Sequence, residues 1–473
     1  WGFAIGAIIV FVIAALFIQS TSGMAGMMMP ILGAIAMALF AGTSIGAEGG
    51  QMMLVSAFTV GVNFMASGVY PDATKMGVLE LTNVPYPTYL KEVLKILVPL
   101  LVVAAIIIMI SPYLGVEKKR MYQRYIKVNG TARERGYQSG VLLKEQIITN
   151  YKNQTEYYKN KEQFDYKKWE KMAERYVPMI EKWAPEVLEE MHGLAEGAEM
   201  EFEQILALTT AYEKSFARDQ VSDKCTAFMA SSRATKDGKV IVGQTNDECF
   251  TEWLYQLDAV VHHQEEEREV LIYTHPGIPA YMGINNDGLC VMWTYIDNGV
   301  TGNGVPTNVI IRHLLELKTV DEAIKYLQEV PHDIPNQFSV ADSSGKIACV
   351  ECFPNRVYVK SDDVYLVHTN HNLFAEDEEE YTCSLTTVDR YEVMNKQVKE
   401  NIGNIDVELA KEFFRSHERF PNSICSHPYP EKPWNKTLAT MVFDLTEGEM
   451  HIAFGNACET PFNSYKFEHY YEK

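Results

Sequence analysis

"KCTAFMASSRATKDGKVIVGQTNDE", residues 224–248, places a cysteine and a small hydroxyl residue directly before a β-hairpin pattern and closes on acids. Asp237-Gly238 is a strong hairpin turn signal between "TAFMASSRAT" and "KVIVGQT". A thiol becomes a useful nucleophile only when a neighbour removes its proton. No histidine lies close to Cys225 in sequence, so a second helper is considered, the α-amine freed when a chain is cut just before its nucleophile. An α-amine titrates near pH 7.7–8.0, which suits a base at neutral pH. Cys225 also stands where a helical lead-in gives way to the first core strand, so a cut there would leave the new terminus at a sheet edge.

Outward from this stretch, the pattern alternates between elements. "MYQRYIKVNG" predicts a strand and a turn at Asn129-Gly130, followed by a helix. Residues 166–216 have a helical period broken at Pro185, and "GLAEGAEM" predicts a glycine-containing bend. Asn286-Asp287-Gly288 marks a second hairpin turn, and helices are expected at 307–317 and 320–329, the latter with a capping box from Thr319 to Glu322. Strands resume in "FSVADSSGKIACVECF", "RVYVKSDDVYLVHT" and "TLATMVFDLTEGEMHIAFG". This order predicts an α+β fold with two stacked sheets and helices on the outer faces. The acidic run at 376–380 reads as a solvated loop.

The chain has 473 residues and a formal charge of −20, nearly all of it after residue 117. That acidity argues against nucleic acid as a partner, since little here would displace phosphate counterions. Residues 1–116 are different. "WGFAIGAIIVFVIAALFIQ" (1–19) and "ILVPLLVVAAIIIMISPYLG" (96–115) are uncharged and about as long as a bilayer crossing. Two apolar stretches between them, interrupted by Gly or Pro, bring the expected bundle to about four transmembrane helices. The chain opens on Trp1 rather than Met, so further helices upstream are expected. Lys118, Lys119, Arg120 and Arg124 follow the last span, which predicts a cell-membrane protein with its soluble part in the cytoplasm. Eight cysteines in such a compartment suggest no disulfide framework. On this reading the sequons at Asn129, Asn153 and Asn435 are chance.

Two resemblances follow from longer motifs. "STSGMAGMMMPIL" and "GVYPDATKMGVLELTNVPYPTYLKEVLKILVPLL" resemble the C-terminal end of the C4-dicarboxylate and basic-amino-acid carrier superfamily, over about a hundred residues. "CTAF", the "AT-x-DG" turn and "GQ-x-x-D" resemble the acyl-coenzyme A:6-aminopenicillanate acyltransferase and peptidase C45 family of N-terminal-nucleophile hydrolases. "GTARERGYQSG", "GINNDGLCV", "LVHTNHNL" and "SHERFPNSICSH" follow in that family's order, so the similarity spans roughly 122–462.

The second resemblance implies a four-layer αββα sandwich, with a helical lead-in at 117–224 and a catalytic part at 225–473. It implies Cys225 as nucleophile and its freed amine as base. Asn370, in "HTNH", would offer its amide to the oxyanion, and Asp247 would hold the ammonium or a hydrogen-bond partner near the nucleophile. No metal or organic cofactor is needed. The expected function is a membrane-tethered cysteine amidohydrolase or acyltransferase, matured by autocleavage before Cys225 into a two-fragment heterodimer. Its substrate would be a small acyl amide or acyl thioester. Lys224 departs from the family, whose members commonly carry Gly before the nucleophile. Two alternatives stand beside this reading: a membrane transport protein with an idle C-terminal domain, and a Cys/His hydrolase that works uncut.

Other candidates read as structural. Cys349 and Cys352 have CxxC spacing without a second pair, and a strand would point them to opposite faces. His368 and His371 bracket Asn370 as ordinary packed histidines. Asp247 has a competing role as a turn cap. Arg312 is placed on a solvent-facing helix surface rather than against a substrate carboxylate. His417 and His427 flank "SIC" with no third ligand apparent, and are not assigned to zinc.

Overall fold

The computed structural model describes residues 79, 84–110, 122–161, 164–216, 225–248, 257–265, 267–296, 301–375, 385–431 and 435–468. The chain divides into two compact units, Trp1–Arg120 and Met121–Lys473. In the first, helix α1 (Tyr86–Ile110) contains Pro99, and most of the side chains in its apolar C-terminal half fall outside the described residues. Among the described residues no helix is long and apolar enough to cross a membrane. The expected bundle of about four spans thus finds no support there, and its first three stretches lie outside the described residues.

The second unit starts with strand β1 (Tyr125–Val128) and then a run of helices: α2 (Ala132–Leu142), α3 (Lys144–Lys161), α4 (Tyr166–Ala173), α5 (Val177–Trp183), α6 (Pro185–Ala198), α7 (Phe202–Thr209) and α8 (Ala211–Phe216). Thr131 and Glu134 form a capping box that starts α2, and Gly130 makes the preceding turn at φ +91°. Next come β2 (Ala227–Ala230), β3 (Ile241–Glu248), β4 (Ala259–Gln264), β5 (Glu269–Thr274), β6 (Met282–Asn285) and β7 (Cys290–Tyr295). Helices α9 (Thr307–Leu314) and α10 (Val320–Glu329) precede β8 (Asn336–Ala341), β9 (Ile347–Phe353), β10 (Arg356–Asp362) and β11 (Tyr365–His368). Then follow α11 (Leu385–Glu400), α12 (Val407–Phe414), β12 (Lys436–Asp444), β13 (Glu449–Ala453) and β14 (Asn463–Lys466).

The described strands form an eight-stranded sheet, β1-β4-β5-β6-β7-β8-β9-β10, and a six-stranded sheet, β11-β2-β3-β12-β13-β14. Period-2 alternation in the second sheet sorts its side chains between two cores. Met229, Val242, Met441 and Phe443 face the large core shared with the first sheet, which also takes in Trp169, Met191 and Leu206 from the helical lead-in. Phe228, Ile241 and Val442 face the other way, onto Val393 and Met394 of α11 and Phe413 and Phe414 of α12. The layers are therefore helix, sheet, sheet, helix, as the strand–helix order predicts. With both faces covered, β2, β3, β5, β7, β8 and β9 are buried along their whole length. β5 and β7 accordingly read as near-continuous apolar runs, whereas β3 buries a polar half from Gln244 to Glu248.

β1 pairs in parallel with β4, Tyr125 opposite Val260. The lead-in before residue 225 thus contributes both a strand and core side chains to the body that follows. Predicted turns are found at both hairpins, where Gly238 and Gly288 have φ +71° and +89°. The first hairpin is looser than expected, because β2 ends at Ala230 and the connection bridges Thr235 to Ile405. The predicted bend at "GLAEGAEM" falls at the end of that stretch, at Glu199 with φ +54°, while Gly193 and Gly197 lie inside α6 rather than in the bend.

The reason is close helix packing. A Cβ on Gly136 would overlap the Glu190 carbonyl, and one on Gly197 would overlap the Tyr137 carbonyl. The glycines let α2 and α6 touch backbone to backbone, and this contact outweighs glycine's helix cost of about 1 kcal/mol. Gly136→Ala is expected to lower unfolding free energy by about 1–3 kcal/mol or more, since two backbones must separate. Urea denaturation checks this, and an unchanged midpoint would contradict the packing account.

Candidate functional site

Cys225 precedes β2 at the end of the six-stranded sheet and is buried, 2 % exposed. Its backbone N–H donates to Asn370 Oδ1 at 2.9 Å. Asn370 follows β11, which pairs with β2 so that His368 sits opposite Ala227. Adjacent strands therefore bring residues 145 positions apart into one hydrogen bond. Asn370 is itself fixed: its N–H donates to Thr387 Oγ1 at 2.8 Å and its Nδ2 to the Tyr295 carbonyl at 3.2 Å. The amide oxygen, not the NH2 group, thus faces Cys225.

Arg390 was not singled out from sequence. It lies on α11, is 1 % exposed, and its guanidinium reaches the site edge-on. Nη1 donates to the Cys225 carbonyl and, at 2.9 Å, to Thr226 Oγ1, while Nη2 donates to Asn370 Oδ1 at 2.9 Å. One planar fork therefore holds the backbone of Cys225 and the amide of Asn370 together, a geometry that lysine cannot copy. In sequence, "TTVDRYEVM" reads as an ordinary amphipathic helix. Only the docking of α11 onto β2 and β11 turns Arg390 inward.

Asp247 lies within β3 and is fully buried. Its Oδ2 accepts from Thr245 Oγ1 at 3.0 Å and its Oδ1 from Thr437 Oγ1 at 2.5 Å. Thr245 Oγ1 in turn accepts the N–H of Thr226 at 3.1 Å. The carboxylate is thereby coupled, through one hydroxyl, to the residue beside Cys225, and the β3–β12 register shifts between Thr437 and Ala439 at this point. Bulges commonly re-aim side chains next to active sites. Gln244 Nε2 donates to the Trp293 carbonyl at 2.5 Å and ties β3 to β7 of the facing sheet.

The bracketing histidines have structural partners. His368 Nε2 meets Glu351 Oε1 at 2.9 Å and its Nδ1 the Thr369 carbonyl at 2.7 Å. His371 Nδ1 faces Thr387 Oγ1 at 3.0 Å, and burial pushes its pKa down to about 4. A base that weak is poorly matched to a thiol. Cys349 and Cys352 are buried in the core of β9, and burial pushes the Cys349 thiol up to about 12. Arg312 corrects the solvent-face expectation: it is buried, donates through Nε to Glu190 Oε2 at 3.0 Å and pairs through Nη1 with Glu316 at 2.6 Å.

Residues 233–459 match the model of the acyl-coenzyme A:6-aminopenicillanic acid acyl-transferase family. The 40 kDa form of acyl-coenzyme A:6-aminopenicillanic-acid acyltransferase from Emericella nidulans is 23% identical over 336 residues, covering 70% of this chain and 92% of that protein. Residues 233–459 are thus similar to that family over just under half of the chain. The chain is accordingly of an acyl-transferring, amide-cleaving class of enzyme. Among solved structures, a mutant conjugated bile acid hydrolase from Clostridium perfringens is similar at 12% identity and TM-score 0.34, covering 52% of this chain and 97% of that one. Penicillin V acylase from Agrobacterium tumefaciens is similar at 16% identity and TM-score 0.34, covering 49% and 83%. The family match begins at residue 233, after Cys225, so the role of the cysteine rests on its surroundings.

Proposed function

We propose that the chain is an N-terminal-nucleophile cysteine amidohydrolase or acyltransferase acting on small acyl amides or acyl thioesters, with Cys225 as nucleophile. The observation that carries this is the clamp on Cys225: its nitrogen on Asn370 Oδ1 and its carbonyl on Arg390, in one buried cluster. A main-chain nitrogen held beside its own thiol is the geometry an α-amine base requires.

Maturation starts with the thiol sulfur attacking the Lys224 carbonyl carbon. The C–N bond breaks, the amine keeps the thiol's proton, and a thioester links Lys224 to Cys225. Water then attacks that carbonyl carbon and displaces the thiol, leaving a Lys224 carboxylate and a free Cys225 amine. In turnover the amine accepts the thiol proton and the thiolate attacks the substrate carbonyl. The oxyanion is stabilised by the second N–H of Asn370 Nδ2, while the first stays on the Tyr295 carbonyl and Oδ1 keeps its place in the clamp. Collapse expels the leaving group with the ammonium's proton, and water or an amine then takes the acyl group from sulfur. Asp247 acts through Thr245 to hold Thr226, and so the strand end, in register. Because β1 and the helical lead-in share a sheet and a core with residues after 225, the two fragments stay together as a heterodimer.

The apolar stretch 1–19 supports a membrane tether, and the basic residues Lys118, Lys119, Arg120 and Arg124 support a cytoplasmic side for the catalytic part. Acid-quenched mass spectrometry during turnover of an acyl-amide panel tests the chemistry. An acyl mass on the peptide that begins with Cys225 is expected. Acylation of a different cysteine would overturn the assignment.

A further inference from the structure

Far along the chain from Cys225, four side chains converge that the proposed chemistry does not use. His417, Cys425 and His427 lie on the connection between α12 and β12, and Cys458 lies on the turn after β13. Their ligand atoms all fall within 4.8 Å of one another. His417 Nε2 is 3.1 Å from His427 Nε2, and Cys425 Sγ is 3.6 Å from Cys458 Sγ. His427 Nε2 lies 3.5 Å from Cys425 Sγ and 3.2 Å from Cys458 Sγ. A tetrahedral zinc with bonds of about 2.3 Å to sulfur and 2.0–2.1 Å to nitrogen separates its ligands by roughly 3.3–3.8 Å. These four of the six edges agree to within a few tenths of an ångström, and the two from His417 to the sulfurs fall within 4.8 Å.

We propose that His417, Cys425, His427 and Cys458 form a closed structural zinc site that staples the α12–β12 connection to the turn after β13. This corrects the sequence reading, which saw two histidines and no third ligand. Two thiolates and two neutral imidazoles balance the dication, and this ligand set suits zinc among the common metals. Four protein ligands leave no open position for catalysis. A disulfide would account for the two cysteines but not for two imidazole nitrogens aimed at the same point.

The surroundings are those of a held ligand set. Asn456 Nδ2 donates to Cys425 Sγ at 3.5 Å and to the Ser426 carbonyl at 2.6 Å. Glu459 lies 3.8 Å from His427 Nδ1, on the ring side away from the other ligands. At that distance the carboxylate acts on the ring electrostatically, without a direct hydrogen bond. Ser426, between two ligands, donates its N–H to Thr437 Oγ1 at 3.0 Å and accepts the Thr437 N–H at 3.1 Å. Thr437 is the residue whose hydroxyl holds Asp247. The metal would therefore brace one support of the Cys225 cluster without touching substrate.

The test uses the full chain, stripped with chelator under reducing conditions and titrated with zinc chloride, then separately with cobalt chloride. One zinc per chain is expected, with tetrahedral cobalt–thiolate absorption and a rise in melting temperature on adding zinc. Cys458→Ser and His417→Ala change exposed positions, so the fold should survive, as circular dichroism would check. Each should weaken zinc binding by more than the ~100-fold that loss of an outer partner can cost, and remove the metal-dependent stabilisation. Cys225→Ala should bind zinc like the parent, which separates this site from the nucleophile. Absence of stoichiometric zinc, unchanged affinity in Cys458→Ser and His417→Ala, or a Cys425–Cys458 disulfide in place of metal would each overturn the proposal.

Discussion

Replacing Cys225 with alanine is expected to abolish both chain cleavage and turnover. The thiol is the group that attacks Lys224 during maturation and the substrate afterwards, so no partial activity survives its removal. Loss of a nucleophile whose partners act as a unit lowers kcat on the order of a million-fold. The fold should persist, because Ala removes one buried sulfur while the nitrogen and carbonyl of residue 225 keep Asn370 and Arg390 as partners. Cys225→Ser should behave differently. Its hydroxyl can still attack Lys224, so cleavage proceeds slowly and turnover is impaired rather than absent. Gel mobility of the purified variants and turnover of an acyl amide check both. Normal cleavage in Cys225→Ala would contradict the assignment.

Arg390→Met should have the next largest effect. It removes the donors to the Cys225 carbonyl, Thr226 Oγ1 and Asn370 Oδ1 at one stroke. Each hydrogen bond to a charged group contributes about 1.5–3 kcal/mol, and the three are not additive. A fall in kcat of about 10²–10³-fold is expected, the scale seen when a preorganised polar partner of the reacting centre is lost. Arg390→Lys restores the charge but not the fork, so it should recover only part of the rate. Steady-state kinetics and thermal melts of both variants separate positioning from folding. A methionine variant with parental kcat would show that the clamp does not matter.

Local chemistry explains what the sequence made legible. The β2–β3 hairpin, the turn at Asn286-Asp287-Gly288 and the capping box at Thr319 are written in neighbouring residues, and all three appear. Cys225 could be singled out because it opens the hairpin, whereas the role given to Asp247 came with the family resemblance. Asn370 needed the family resemblance, since only the pairing of β11 with β2 brings it close. Arg390, Thr437 and Cys458 were not legible, because their partners are set by how α11 docks, how β12 pairs and where the turn after β13 falls. Arg312 and the glycines of α6 were misread for a related reason. A helical period says which positions share a face, not which face another helix will cover.

The most direct measurement is the intact mass of the purified chain under denaturing conditions, combined with N-terminal sequencing of its fragments. A free terminus at Cys225, in a preparation that turns over an acyl amide, is the predicted result. An active preparation in which Lys224 and Cys225 remain joined would contradict it.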